Sequence, residues 1–346
     1  MLHRKLGNTG IAVGKIALGT MYFGSETPEA DAFAILDTFI EAGGNLVDTA
    51  NVYVNGVSEQ VIGRWFAARP RDVTDNVVLA TKGRFNFLSQ DVNAVGLSRR
   101  WLHRSLNASL ERLGVETIDL YQLHASDMNT PIEETLLFLD EAVKAGKIHY
   151  IGLSNFTGWQ VQKAVDMADA CGLARPVTLQ PQYNLLARAV EWEIVPACQS
   201  EGLGLLPWSP LASGWLSGKY RRDESPGDGT RVAENADQGM KIWNQRGHLE
   251  RTWQVLEAVR KVADGHGVSM AQVSIAWLAA RPAVASVILG ARTMEQLADN
   301  LAAADLRLSP EETQLLDVTS DPGAPDYPYG EPGQTQRSRR ISGGRF

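Results

Sequence analysis

Four polar side chains are of the right types to protonate a carbonyl oxygen: Asp48, Tyr53, Lys82 and His124. A free tyrosine has a pKa of about 10, which is too high for an efficient proton donor at neutral pH. A neighbouring ammonium group stabilises the phenolate and lowers that pKa, and a carboxylate can hold the lysine in place. The histidine can hydrogen-bond the substrate oxygen and orient it. Because this set supplies no hydride, it requires a cofactor.

Eight short apolar runs, rich in β-branched residues, lie before, between and after these four residues in the sequence. Near-continuous apolar runs without polar alternation are typical of strands in a parallel sheet that is covered on both faces. The runs extend over Ile16 to Leu18, Asn45 to Val47, Val77 to Ala80, Ile118 to Tyr121, Ile148 to Leu153, Val177 to Leu179, Leu203 to Leu206 and Val284 to Leu289. We therefore predict eight parallel strands.

Longer amphipathic segments separate the runs and predict helices. These segments extend over Pro28 to Ala42, Ser98 to Leu113, Pro131 to Ala145, Trp159 to Ala170 and Ala189 to Ser200. Strands that alternate with helices are compatible with two main α/β architectures, a closed barrel or a doubly wound open sheet. The number of strands and their even spacing favour the (β/α)8 TIM barrel.

The predicted barrel is a single domain over residues 1–320. Leu2 to Leu6 and Ile11 to Val13 are expected to form a hairpin that caps one end. The Gly-rich, charged connection over residues 211–247, after the seventh run, is expected to be a loop with short helices, since long connections inside domains are usually functional lids or disordered. Residues 321–346 are expected to form a tail that is partly flexible or laid across the barrel mouth.

Polar residues follow directly after the apolar runs. In a barrel, the carboxyl ends of all strands face one mouth, where the active sites of this fold lie. Taken alone, the Asp48–Lys82 pair, Tyr53 and His124 would each be explained by a structural role. Their joint position at successive strand ends favours catalysis. The residues at these ends include Asp48, Tyr53, Lys82, His124, Ser154, Asn155, Gln180, Trp208, Ser209, Gly290 and Arg292.

The sequence resembles the aldo-keto reductase family over roughly residues 2 to 320. The matching segments are Asp48-Thr49-Ala50-Asn51-Val52-Tyr53, Gly56-Val57-Ser58-Glu59, Lys82-Gly83, Leu120 to His124, Gly152-Leu153-Ser154-Asn155, Gln180-Pro181-Gln182-Tyr183-Asn184, Trp208-Ser209-Pro210-Leu211 and Leu216-Ser217-Gly218-Lys219-Tyr220. The resemblance is to the bacterial branch similar to potassium-channel β-subunits and aryl-alcohol dehydrogenases. It implies reduction of an aldehyde or ketone by hydride transfer from NADPH, with Tyr53 as the general acid and Asp48, Lys82 and His124 in supporting roles.

The resemblance also implies residues that hold the cofactor. Ser154, Asn155 and Gln180 would hydrogen-bond the nicotinamide carboxamide, and Trp208 would stack on the ring. Further residues would meet the pyrophosphate, its ribose or the adenosine end: Gly19, Thr20, Met21, Asp48, Ser209, Pro210, Leu211, Gly214, Lys219, Gly290, Gln296 and Asn300.

Cofactor preference depends on two arginines. A guanidinium at Arg292 can pair bidentately with a 2′-phosphate, and Arg231 from the long connection is a weaker second candidate. NADPH is therefore expected, with NADH as an alternative. The substrate pocket is expected to be walled by Met21, Tyr22, Phe23, Tyr53, Phe85, Phe87 and His124, with tail residues near Tyr327 and Tyr329.

Composition excludes several other classes. The net charge of −7 argues against a nucleic-acid surface, which needs a basic face. Only two cysteines are present, so a disulfide framework and a zinc site are not expected. The absence of an apolar leader or of a run of about 18 apolar residues predicts a cytoplasmic protein without a membrane span. The expected partner is a small carbonyl or alcohol, and the chain is expected to be a monomer or a homo-oligomer.

Two alternatives remain open at this stage. The first is a cofactor-binding, redox-sensing regulatory subunit with weak catalysis; a short N-terminus without an additional binding segment argues for a free-standing enzyme instead. The second is a barrel enzyme of another class, such as a metal-assisted hydrolase.

Overall fold

The computed structural model describes residues 1–222, 224 and 243–337. Eight parallel strands pair in the order β10-β3-β4-β5-β6-β7-β8-β9. Their bounds are β3 Ile16–Gly19, β4 Leu46–Asp48, β5 Val78–Gly83, β6 Ile118–Leu123, β7 Ile148–Ser154, β8 Pro176–Gln180, β9 Gly204–Leu205 and β10 Val287–Gly290. A parallel bridge between Leu205 and Val284 joins the two ends of the sheet. The predicted (β/α)8 TIM barrel is thus confirmed.

Helices surround the barrel and bury their apolar faces against it. The helices in the described ranges include α1 Glu29–Glu41, α2 Val57–Ala68, α3 Arg71–Thr74, α4 Arg99–Leu113, α5 Ile132–Lys144, α6 Gly158–Cys171, α7 Ile194–Glu201, α8 Glu250–His266, α9 Met270–Ala279, α10 Met294–Ala302, α11 Pro310–Ser320 and α12 Glu331–Arg337. Within these ranges, none of the helices has both the length and the apolar content to span a bilayer.

The N-terminal hairpin closes one end of the barrel, as the sequence predicts. Strand β1, His3–Lys5, pairs antiparallel with β2, Ala12–Gly14. Leu6 and Val13 are fully buried and pack with apolar side chains from inside the barrel. Gly7 lies so close to β8 that an added Cβ would be 2.2 Å from the Val177 carbonyl oxygen, so this position accepts only glycine.

Several predicted element bounds differ from the structure. The segment predicted as one helix over Ala189 to Ser200 is a short 3-10 turn, Ala189–Glu191, followed by α7, with Pro196 in the first turn where proline is tolerated. Strand β5 extends three residues further than predicted, because its inward-facing polar residues remain in the ladder. Strand β9 has only two residues.

The long connection and the tail are described in part. A 3-10 helix, Ala212–Ser217, opens the connection, and residues 223 and 225–242, which include Arg231, lie outside the described residues. The tail packs on the loop before α7: the Tyr329 ring stacks on Trp192 with centroids 5.9 Å apart, and its hydroxyl hydrogen-bonds Glu193. Residues 338–346 also lie outside the described part.

Candidate active site

The ammonium group of Lys82 is the centre of the candidate site. Its Nζ lies 2.5 Å from Oδ2 of Asp48, 2.7 Å from the carbonyl oxygen of Thr49 and 3.2 Å from the hydroxyl of Tyr53. The side chains of Lys82 and Asp48 are 0% and 2% exposed. Burying two charges this completely costs free energy unless each charge has close partners. The three contacts of the Lys82 ammonium group provide those partners.

Barrel geometry explains why these residues meet. Asp48 is the last residue of β4, and Lys82 lies near the end of β5, whose register pairs Asp48 with Ala80. Alternate residues of a strand point into the barrel, so both side chains enter from neighbouring strands. Tyr53 opens a 3-10 turn in which Val54 and Asn55 adopt positive φ angles, and this bend carries the phenol back over the barrel mouth.

Electrostatics keep the lysine charged and the histidine neutral. Burial alone would lower the pKa of Lys82, but the charges of Asp48 and Tyr53 outweigh it and raise the pKa above its ordinary value. Burial, together with the cations of Lys82 and Arg84, lowers the pKa of His124 to about 3. The imidazole therefore remains neutral at physiological pH and can hydrogen-bond a substrate without adding charge.

The rings of Tyr53 and His124 frame one side of the site. Their centroids are 5.9 Å apart with the planes nearly perpendicular, and the Phe85 ring contacts His124 edge-on at 5.0 Å. Nδ1 of His124 is buried and has no hydrogen-bond partner among the described residues. His124 belongs, with Asp48, Tyr53 and Lys82, to the tetrad of polar side chains at this site. An unpaired buried polar atom in the tetrad marks a place where a bound group can supply the missing bond.

Sequence reasoning missed Gln122, which is fully buried beside Asp48. Its Nε2 donates to Oδ1 of Asp48 at 2.8 Å, and its Oε1 accepts from Nε2 of Gln180 at 2.9 Å. The same Gln180 nitrogen also lies 2.9 Å from Asp48 Oδ1. Both bonds use the amide nitrogen of Gln180, so its amide oxygen remains available, and Gln180 lines the cavity described next. The available signal was strand periodicity: Gln122 stands two residues before His124 and so shares its inward face.

An open cavity of about 530 Å³ extends from the tetrad across the barrel mouth to the end of β10. Most residues assigned to the cofactor from the sequence line it. These are Gly19, Thr20, Met21, Asp48, Ser154, Asn155, Gln180, Trp208, Ser209, Pro210, Leu211, Gly214, Lys219, Gly290, Arg292, Gln296 and Asn300. Further lining residues that the sequence reasoning missed are Ser213, Ser217, Tyr220, Ala271, Ile288, Leu289 and Asp299.

Hydrogen bonds order the polar wall next to the tetrad. The Asn155 amide nitrogen donates to the carbonyl oxygen of His124 at 2.9 Å, and the Trp208 indole nitrogen donates to Asn155 Oδ1 at 3.1 Å. Ser154 Oγ donates to the Gln180 carbonyl at 2.9 Å. The orientation of Trp208 is thereby coupled through Asn155 to the end of the cavity at His124.

The loop after β9 is held from behind by an aromatic cluster. The Trp215 ring stacks on Trp243 with centroids 5.0 Å apart, and Tyr220 and Trp253 also pack against the Trp215 ring. Nη1 of Arg246 donates to the Ala212 carbonyl at 3.1 Å. Ser209, Ala212 and Ser213 all adopt positive φ angles, an arrangement that costs free energy and persists because its surroundings hold it. The loop thus presents a preformed backbone curve to the cavity.

The far end of the cavity carries a cation. Arg292 lines it, and its backbone N–H donates to Oε1 of Gln296 at 3.0 Å. Its Nη1 lies 2.6 Å from Oε2 of Glu26. An elongated cavity with amide and indole groups at one end and a guanidinium at the other fits a dinucleotide that bears a phosphate.

Five aromatic residues predicted at the substrate pocket do not line this cavity. Phe23 is 1% exposed and belongs to the hydrophobic core, because the turn after β3 directs its ring inward. Phe85 reaches the site only through its contact with His124, and Phe87 stacks on Phe85 at 5.7 Å while remaining 73% exposed. Tyr22, Tyr53 and His124 do line the cavity, whereas Tyr327 and Tyr329 lie outside its lining.

Comparison with known proteins places this arrangement in a family. The family model described as "Aldo/keto reductase family" matches residues 15–321. An uncharacterized oxidoreductase of Bacillus subtilis, YrpG, is 38% identical over 93% of this chain and 97% of its own length. A probable voltage-gated potassium channel subunit beta of Oryza sativa is 35% identical over 92% and 96%. The aryl-alcohol dehydrogenase [NADP(+)] of Phanerodontia chrysosporium is 34% identical over 94% and 88%.

Proposed function

The chain belongs to the aldo/keto reductase family and is an oxidoreductase acting on carbonyl or alcohol groups, and on that premise we propose that it interconverts an aldehyde or ketone and its alcohol with NADPH. Tyr53 is the general acid in the direction of reduction. One observation carries this proposal: the Lys82 ammonium lies 3.2 Å from the Tyr53 hydroxyl and is itself held by Asp48.

Bound NADPH would supply the hydride, which the residues of this chain cannot. The Tyr53 hydroxyl would give its proton to the carbonyl oxygen as the alkoxide forms. Lys82 stabilises the phenolate that remains, and Asp48 keeps the ammonium in place. Neutral His124 would orient the same oxygen by a hydrogen bond. Removing water from these charges strengthens each of their interactions.

The cavity supports the cofactor assignment. Ser154, Asn155 and the free oxygen of Gln180 would meet the carboxamide, and Trp208 would stack on the nicotinamide. Arg292 would pair with the 2′-phosphate, which distinguishes NADPH from NADH. The pyrophosphate and adenosine would contact Ser209, Pro210, Leu211, Gly214, Lys219, Gly290, Gln296 and Asn300. The name of the Phanerodontia relative, which specifies NADP(+), supports this preference.

The test is a turnover assay with purified protein. NADPH and, separately, NADH are mixed with a panel of aromatic and aliphatic aldehydes and ketones, and cofactor absorbance is followed through many turnovers. We expect repeated turnover with at least one carbonyl and a higher kcat/KM with NADPH. Tight NADPH binding followed by no more than one turnover with every compound would contradict the proposal and favour a cofactor-binding subunit.

A further inference from the structure

An ion pair between Glu26 and Arg292 lies at one end of the proposed cofactor cavity. It joins the loop after β3 to the turn after β10. The Arg292 guanidinium also lies 5.9 Å from the centroid of the Tyr22 ring. Tyr22 and Arg292 line the cavity, whereas Glu26 stands behind this wall. A carboxylate is therefore already bound to the cation that faces the cofactor.

The backbone around Glu26 is firmly placed. The N–H of Gly24 donates to the Thr27 carbonyl at 2.9 Å, and the N–H of Thr27 donates to the Tyr22 carbonyl at 3.1 Å. The buried Phe23 side chain anchors this turn in the core. Because these bonds hold the turn on both sides of Glu26, the Glu26 backbone stays near Arg292 when an anion binds. Only the Glu26 side chain is able to move.

Two opposing effects follow from this pair. Glu26 holds the guanidinium in place, and half-exposed ion pairs of this kind are worth at most about a fivefold change in an equilibrium constant. Glu26 also carries a charge of the same sign as a phosphate on Arg292. For a dianion about 6 Å away at a partly exposed site, that repulsion amounts to about tenfold at low salt. Repulsion is the larger of the two effects.

We propose that Glu26 limits the affinity of this chain for a 2′-phosphorylated nicotinamide cofactor and so speeds its release. The inference rests on the proposed function, which assigns Arg292 to that phosphate. Glu26 acts through Arg292 and through its own charge, and it has no contact with the reacting atoms. NADH lacks the 2′-phosphate, so its affinity is independent of Glu26.

The variant Glu26→Gln separates the two effects. Its amide oxygen can still accept the Arg292 hydrogen bond, so the guanidinium stays in place while the negative charge is removed. We expect the Kd for NADPH, measured by fluorescence titration, to fall about threefold to tenfold at low salt. The gain should shrink at high salt because the charges become screened. The Kd for NADH should stay unchanged.

Glu29→Gln is the matched control. Glu29 starts α1, is 44% exposed against 43% for Glu26, and pairs with Arg64 at 2.6 Å outside the cavity lining. We expect no change in the Kd for NADPH in this variant. If Glu26→Gln leaves the Kd for NADPH unchanged or raises it, the inference is overturned.

Arg292→Ala distinguishes failure of this inference from failure of the proposed function. A selective loss of NADPH affinity in Arg292→Ala, combined with no gain in Glu26→Gln, overturns the role of Glu26 alone. Equal losses for NADPH and NADH in Arg292→Ala overturn the phosphate assignment, and the role of Glu26 with it.

Discussion

The two ends of the cavity are built differently. At the tetrad end, Lys82, Asp48 and Gln122 are almost completely buried, and each polar group has close partners. At the opposite end, the Arg292 and Glu26 side chains are 26% and 43% exposed. Charges inside the barrel act in a low dielectric with little screening, whereas those at the rim are weakened by water and salt.

This difference separates chemistry from recognition. Changes at the buried end should affect rate and stability strongly, since an unpaired buried charge is expensive. Changes at the rim should shift cofactor affinity by about tenfold or less and should depend on salt. Kinetics, cofactor titration and denaturation of variants at each end test both expectations.

The largest effect is expected from Tyr53→Phe, which removes the hydroxyl and leaves the ring. We expect kcat to fall by about 10²- to 10⁴-fold, the range that general acid catalysis contributes. The Kd for NADPH should change by less than about twofold, because the rest of the cavity wall is intact. Steady-state kinetics and fluorescence titration measure the two quantities. A variant with full activity would remove Tyr53 from the mechanism.

Lys82→Met should produce the largest loss of stability. It leaves the buried Asp48 carboxylate without its cation, and breaking such a pair costs about 3–5 kcal/mol of unfolding free energy. Lys144→Met is the matched control, since Lys144 pairs with Asp140 at 2.6 Å but is 70% exposed. We expect that control to cost less than about 1 kcal/mol. Equal losses in urea denaturation would contradict the contrast between buried and exposed ends.

Gln122→Leu tests whether the buried amide network positions the site. Losing it leaves Asp48 and Gln180 each short of one buried hydrogen bond, which costs about 1–3 kcal/mol. We expect kcat/KM to fall roughly tenfold to a hundredfold, with partial rescue in Gln122→Glu assayed at low pH. Gln162→Leu removes an exposed glutamine bonded to Asp166 and should leave the rate unchanged. A normal rate in Gln122→Leu would show that the tetrad does not need this network.

The pH dependence of stability should reflect the buried His124 imidazole. Its pKa is lowered to about 3 in the folded chain from about 6.5 when unfolded, so the unfolded state binds the extra proton first as the pH falls. Stability is therefore lost between pH 6.5 and pH 3, by up to about 1.4 kcal/mol per pH unit. We expect His124→Gln to lose less stability over this window. Parallel losses in both proteins, measured by denaturation, would contradict a neutral buried imidazole.

Sequence patterns predicted the parts of the molecule that are governed by local chemistry. Apolar runs fixed eight strands to within a few residues, because both faces of a barrel strand are covered. The position of Asp48, Lys82 and His124 at strand ends followed from the same periodicity. The predicted joint location of these side chains agrees with the distances in the structure.

Other features depend on contacts between distant segments. Glu26 lies 266 residues from Arg292, and no local pattern marks that pair. Phe23 was predicted to wall the pocket, but the hydrogen bonds around Thr27 hold the turn that buries it. The partnership of Gln122 and Gln180 likewise requires β6, β7 and β8 to be assembled in one sheet.

The closure between β9 and β10 has a consequence for motion. Seven of the eight joints between barrel strands are strand ladders, whereas this one consists of the Leu205–Val284 bridge and a few neighbouring backbone bonds. A joint with so few bonds is where transient opening needs the least free energy, so its amides should exchange with solvent earliest within the sheet. Ser209 follows β9 and Gly290 is the last residue of β10. A dinucleotide bound to both would stabilise the joint and slow its opening.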